Sequence, residues 1–153
     1  MSLELSPDQA IALDLGFRWA QISREEIVSL ADKLIVSTEG IPSCEICELA
    51  VCSKDYQISD ILAEFIQGVP DKWSPVKLLI KDYIKLSQLC QTSLYKLYRS
   101  ISNYAEWDDP EPWRSIKCLE HELEDAIISV YGKPEQISDE MYKLLTSTIS
   151  ADT

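Results

Sequence analysis

The sequence is poor in glycine, with four in 153 residues, and it holds a single histidine. So little glycine, with seven prolines spread along the chain, excludes a collagen-like or low-complexity class, and no Ser/Gly-rich stretch marks a linker. Asn-Gly and Asp-Gly dipeptides are missing, and no segment alternates apolar and polar residues over five or more positions. A sheet built from hairpins would therefore lack both its turns and its strands. Long hydrophobic runs are missing too. The longest are three or four residues, as at Leu78-Leu79-Ile80, far below the roughly 20 that cross a bilayer. Positive charge is scarce, with 14 Lys and Arg against 26 Asp and Glu for a net charge of −12. Such a field repels nucleic acid and anionic headgroups and attracts basic partners.

The shortage of histidine bounds the chemistry. Any Ser-His-Asp, Cys-His or His-metal arrangement must run through His121. Its neighbours Glu120, Glu122 and Glu124 are those of a solvated surface residue. No Gly-rich phosphate loop, nucleophile elbow or HExxH motif occurs, and the expectation is a protein that is not an enzyme.

What the chain does have is enough apolar surface, 46% of residues, for one core, which predicts a single domain over 1–153. The first twenty residues carry Glu4, Asp8 and Asp14 and no basic cluster, unlike a secretory signal. Cys44, Cys47, Cys52, Cys90 and Cys118 are odd in number and read as reduced thiols of a cytoplasmic protein.

Apolar spacing and punctuation predict helices throughout. Ser6-Pro7-Asp8-Gln9 opens a short one ending near Gly16, and Ser23 caps a second with the stripe Ile27, Leu30, Ala31, Leu34 and Ile35. Ser43 caps a third to about Cys52, in which Cys47 reads as a small core residue, and Ile58, Ile61, Leu62, Phe65 and Ile66 form a fourth stopping at Gly68. From Ser74-Pro75, the positions Leu79, Tyr83, Leu86, Cys90, Leu94, Leu97 and Ile101 recur at steps of three and four. They predict one long helix over about 75–102, weakest at Gln91-Thr92-Ser93. The prolines make 106–112 a loop. Trp113, Ile116, Leu119, Leu123, Ile127 and Val130 then mark a helix closing at Gly132, and Ser138 caps the last. The expected fold is all-α, an irregular bundle of about seven helices around the long one.

Two features could carry function. Cys44-Glu45-Ile46-Cys47 is a CxxC and Cys118-Leu119-Glu120-His121 a CxxH, together the ligand types of a Cys₃His zinc site. Both pairs sit in predicted helices without knuckle loops, about 70 residues apart. The CxxC could also be a redox pair near a helix start.

The second feature is charge segregation. Residues 72–99 hold Lys72, Lys77, Lys81, Lys85, Lys96 and Arg99 against Asp82, whereas 106–125 hold eight acids against Arg114 and Lys117. The lysines at 77, 81 and 85 read as the solvated edge of the long helix, paired with acidic neighbours. In the acidic stretch, Trp107 and Trp113 bracket Asp108, Asp109 and Glu111. Tryptophans ringed by carboxylates suit docking of a basic partner, the rings supplying buried area and the charges steering encounter; tryptophans plugging the core beneath a stiff turn are the alternative.

In overall character, and in stretches such as Gly16-Phe17-Arg18-Trp19 and Cys47-Glu48-Leu49-Ala50, the chain resembles small acidic helical bacterial immunity-type proteins that neutralise toxins, and related helical families of unknown function. The resemblance implies protein binding and identifies no site residue. The expected function is a non-enzymatic, cofactor-free binding domain covering a basic partner, such as a toxin domain, with an acidic face that includes Trp107, Asp108, Asp109, Glu111, Trp113, Glu120 and Glu124. A thiol- or zinc-dependent protein using Cys44, Cys47, Cys118 and His121, and an adaptor dimerising through the long helix, are the rivals.

Overall fold

Serine caps start the first three helices. The computed structural model describes residues 5–37, 39–66, 68, 71–127 and 134–150, with the side chains of 91, 121–127, 134–138 and 150 outside that description. Before α1 (Pro7–Arg18) the capping box is complete. The Ser6 hydroxyl accepts from Gln9 N–H at 3.1 Å and the Gln9 side-chain oxygen accepts from Ser6 N–H at 2.9 Å, which satisfies donors that a helix start otherwise leaves open. Ser23 accepts from Glu26 N–H at 3.2 Å before α2 (Arg24–Ser37), and Ser43 from Ile46 N–H at 3.3 Å before α3 (Cys44–Ala50). α4 (Asp55–Ala63), α5 (Ser74–Leu78), α6 (Gln91–Tyr104), α7 (Trp113–Ile127) and α8 (Pro134–Ser150) follow. Among the described residues there are eight α-helices and no strand, so the protein is all-α.

The first turn of α5 is held by an acid. Asp71 Oδ2 accepts from Trp73 N–H at 3.0 Å, from Ser74 N–H at 2.9 Å and from the Ser74 hydroxyl at 3.0 Å. These bonds, those of Ser74 foremost, hold the carboxyl below its ordinary pKa. A depressed folded-state pKa stabilises the fold fully above the ordinary carboxylate value, and the contribution fades as pH falls through that range. Asp71→Ala is expected to cost about 1 kcal/mol near neutral pH, the usual net worth of a hydrogen-bonding side chain. Denaturant unfolding should show that difference shrinking at acid pH.

The chain groups into two compact units, Met1–Tyr83 and Ile84–Thr153. In the first, α1 is the hub: α4, α5 and a π turn at Leu79–Tyr83 pack on it, while α3 packs on both α2 and α4. Small residues allow the close approach, since Ala10, Ala12 and Gly16 are buried together with Leu13 and Leu15. In the second unit α6, α7 and α8 pack pairwise. Their core comprises Leu94, Leu97, Tyr98 and Ile101 of α6, Trp113, Ile116 and Leu119 of α7, and Met141 and Leu145 of α8.

The expected long helix over 75–102 is not formed. α5 gives way to the π turn, a 3₁₀ turn follows at Leu86–Gln88, and Lys85, Leu89 and Cys90 are extended before α6 restarts at Gln91. The reason lies in the apolar pattern. Leu79 and Leu86 are buried, but so are Ile80 and Ile84, which on a straight helix would lie about 100–140° around the axis from Leu79. One helix would have to bury two faces, and breaking it lets each side chain find a core. Tyr83 is only half-buried and Cys90 is exposed, although both lie on the expected stripe. The last helix also differs, beginning at Pro134, four residues before the expected Ser138 cap; proline is at home at a first helical position. The expected stop at Gly132 lies outside the described residues.

Candidate functional site

The acidic stretch divides at its tryptophans. Trp113, the first residue of α7, is 2% exposed, whereas Trp107, in the preceding loop, is 55% exposed. Trp113 therefore plugs the core of the second unit, together with Ile116 three residues on, and Trp107 presents its ring to solvent.

The loop between them is pinned by its own acids. Asp109 Oδ2 accepts from Glu106 N–H at 2.7 Å while Glu106 C=O accepts from Asp109 N–H at 3.0 Å, a reciprocal clamp around Trp107 and Asp108. Glu111 Oε2 accepts from Ser115 N–H at 3.1 Å and from the Ser115 hydroxyl, so its carboxylate faces the start of α7, where the helix dipole favours negative charge. The Glu111–Pro112 peptide is cis. Trp107 is steadied from α7, because Lys117 Nζ stands 5.4 Å from its ring centroid and donates at 3.0 Å to Ser102 C=O near the end of α6. That cation–π and hydrogen-bond pair ties the loop to both helices. The sequence offers Lys117 only as a charge opposing the acidic stretch; its place four residues after Trp113, one turn into α7, was the available signal.

Of the other expected partner-binding residues, Asp108 is exposed, Glu111 is exposed while bonded to Ser115, and Asp109 is half-buried within its clamp. Trp113 and Glu120 are not surface residues. Glu120 is 6% exposed and its Oε1 lies 4.0 Å from Arg99 Nε. It sits seven residues after Trp113, two turns on along the buried face, which explains the burial. The Glu124 and His121 side chains lie outside the described residues. The acidic face thus reduces to the loop, where Glu106, Asp108 and Glu111 surround Trp107 in the sequence.

The thiol constellation is also redistributed. Cys44 and Cys47 are both exposed, in the first unit, and Cys118 is exposed in the second. Cys47 is not the core residue expected; Ile46 and Leu49 are the buried positions of α3. Among the described residues, no three or more His, Cys, Asp or Glu stand together so as to hold a metal ion.

In the first unit an open cleft of about 390 Å³ is lined by Leu13, Ile22, Glu26, Leu30, Lys33 and Tyr83, among others. Burial, and secondarily Asp82, raises the Tyr83 pKa above its ordinary value. No helix among the described residues is long and apolar enough to cross a membrane. Comparison with protein families, with curated proteins and with solved structures finds no match to this chain.

Proposed function

We propose that the chain is a non-enzymatic protein-binding protein of immunity type, which covers a basic surface of a partner such as a toxin domain with the acidic loop around Trp107. The observation that carries this reading is Trp107 itself, a tryptophan 55% exposed within a stretch of four acids. An exposed large ring costs hydration free energy that burial in a partner recovers, and tryptophan is among the residues that most often dominate binding. The clamp of Glu106 and Asp109 lowers the ordering cost of docking, since the loop is held before the partner arrives. The net charge of −12 supports the basic character of the partner through steering.

A cytoplasmic immunity-type protein is encoded beside its target, so the product of the adjacent gene is the partner to test. Titration calorimetry should give an association that weakens steeply with added salt, because exposed charges are screened over about 10 Å at 0.1 M. Asp108→Lys, which touches none of the clamp's hydrogen bonds, should weaken it by about tenfold or more, mainly in the association rate. Binding indifferent both to salt and to Asp108→Lys would refute the acidic-face reading.

A further inference from the structure

The cleft of the first unit follows from the way α2 packs. α2 leans on α3, whereas α4, α5 and the π turn pack on α1, and a wedge of about 390 Å³ stays open between α1, α2 and the π turn. Small-molecule sites run from about 300 to 1,000 Å³. Every residue lining this one belongs to Met1–Tyr83. We propose that the cleft binds a short apolar peptide with free ends, about three residues long, its ammonium group at Glu26 and its carboxylate at Lys33.

The cleft walls are apolar where the middle of such a peptide would lie. Leu13 comes from α1, Ile22 from the turn that follows it and Leu30 from α2. Leu30 falls on the apolar stripe of α2, yet that helix buries only Ile27 and Ala31, and Leu30 stays half-buried as a wall of the cleft. An apolar side chain laid against it removes both surfaces from water. The rim carries charge of both signs. Glu26 and Lys33 are exposed, and neither side chain has a hydrogen bond or ion pair among the described residues. Glu25, the other acid at the cleft, is already held by Arg24 at 3.0 Å.

The spacing of the two charges selects the ligand. Seven residues bring Glu26 and Lys33 within about 20° of one line along α2, about 10 Å apart at 1.5 Å per residue. Residues three or four apart pair directly on a helix surface; these two, a heptad apart, are left to a ligand that spans them. Three residues of extended chain, at about 3.3–3.6 Å each, cover that distance. A single amino acid carries both charges on one carbon and is too short to meet both. Ser29 and Tyr83 add hydroxyls to the lining between the two charges. Burial keeps the Tyr83 phenol protonated at neutral pH, so that it can donate to a peptide carbonyl.

The test titrates the full chain with alanyl-leucyl-alanine by calorimetry. The free tripeptide is expected to bind with a stoichiometry of one and a dissociation constant of about 1 mM or tighter, and triglycine, which has no side chain to bury, is not. Acetylating the tripeptide's amine or amidating its carboxylate should each weaken binding by about fivefold, the upper worth of an exposed ion pair. In Glu26→Gln the acetylated and free forms should bind equally, and in Lys33→Met the amidated and free forms should, because each variant removes the charge that its modification answers. Both positions are exposed, so both variants should keep the helical circular dichroism spectrum. Absence of tripeptide binding at millimolar concentration, equal binding of triglycine, or a fivefold loss on capping that persists in Glu26→Gln and Lys33→Met would each overturn the proposal. None of these outcomes bears on the Trp107 loop, whose partner binding is measured separately.

Discussion

Trp113→Ala and Trp107→Ala are expected to separate stability from binding. Trp113 is 2% exposed and packs in the core of the second unit with Ile116 and Leu119. Its truncation leaves a cavity as well as losing transfer free energy, at about 3–5 kcal/mol for a tryptophan. For a chain of this length that lowers the melting temperature on the order of 10 °C. Trp107 is 55% exposed, and the Lys117 ammonium stands 5.4 Å from its ring centroid, a contact worth about 0.5–1 kcal/mol at an exposed site. Trp107→Ala should therefore move stability by less than about 1 kcal/mol. It should nevertheless weaken partner binding by roughly thirtyfold or more, the 2 kcal/mol that defines a hot spot. Chemical unfolding and calorimetry on the same two variants give the four values needed. Comparable stability losses would show that both rings are structural, and a binding loss confined to Trp113→Ala would show that the interface lies elsewhere.

Local rules made much of this fold legible. Ser6, Ser23 and Ser43 each carry the capping bond that their position implied, because a cap is decided within four residues of chain. The all-α class followed from apolar spacing for the same reason. Non-local competition was not legible. From Leu78 to Leu86 the apolar residues satisfy a helical stripe on paper, yet Ile80 and Ile84 are as well buried as Leu79 and Leu86, and no glycine or proline marks the break that this double demand produces. The site shows the same division. Prolines and acids identified the 106–112 loop, but which tryptophan faces out depends on how α7 packs, and periodicity runs through Trp113 while saying little about Trp107. Glu120 was misread because its charge was weighed above its register. It falls on the buried face with Trp113 and Ile116, and Arg99 from α6 meets it there. Cys47 was misplaced by its register in the same way: the short α3 buries Ile46 and Leu49 and turns both cysteines outward.

Gly16 is where packing and propensity pull in opposite directions most strongly. It lies in the last turns of α1, and by propensity alone replacing glycine with alanine in a helix gains about 1 kcal/mol. Here a Cβ would stand 2.5 Å from Ile22 Cδ1, 2.9 Å from Ile22 Cγ1 and 2.9 Å from Leu79 Cδ1. The chain doubles back at this point: Ala20 takes φ +56°, and Gly16 C=O accepts from both Gln21 N–H at 2.8 Å and Ile22 N–H at 3.0 Å. Those bonds lay Ile22 over Gly16, and the π turn that packs on α1 brings Leu79 to the same point. Leu79 is fully buried, with no free space into which to swing, and Ile22 is 6% exposed at the wall of the open cleft. Gly16→Ala is expected to destabilise by about 1–2 kcal/mol, the overpacking cost less the helix gain, and Gly16→Val by about 3 kcal/mol or more, since its branched side chain adds both volume and strain. If the Ile22 contact carries the effect, Gly16→Ala combined with Ile22→Ala should be less destabilised than the sum of the single variants by about 1 kcal/mol, a coupling that unfolding measurements on the four proteins resolve. Strict additivity would mean that α1 moves as a body to admit the methyl group, and Leu79→Ala in place of Ile22→Ala would then show whether its packing on the π turn yields first.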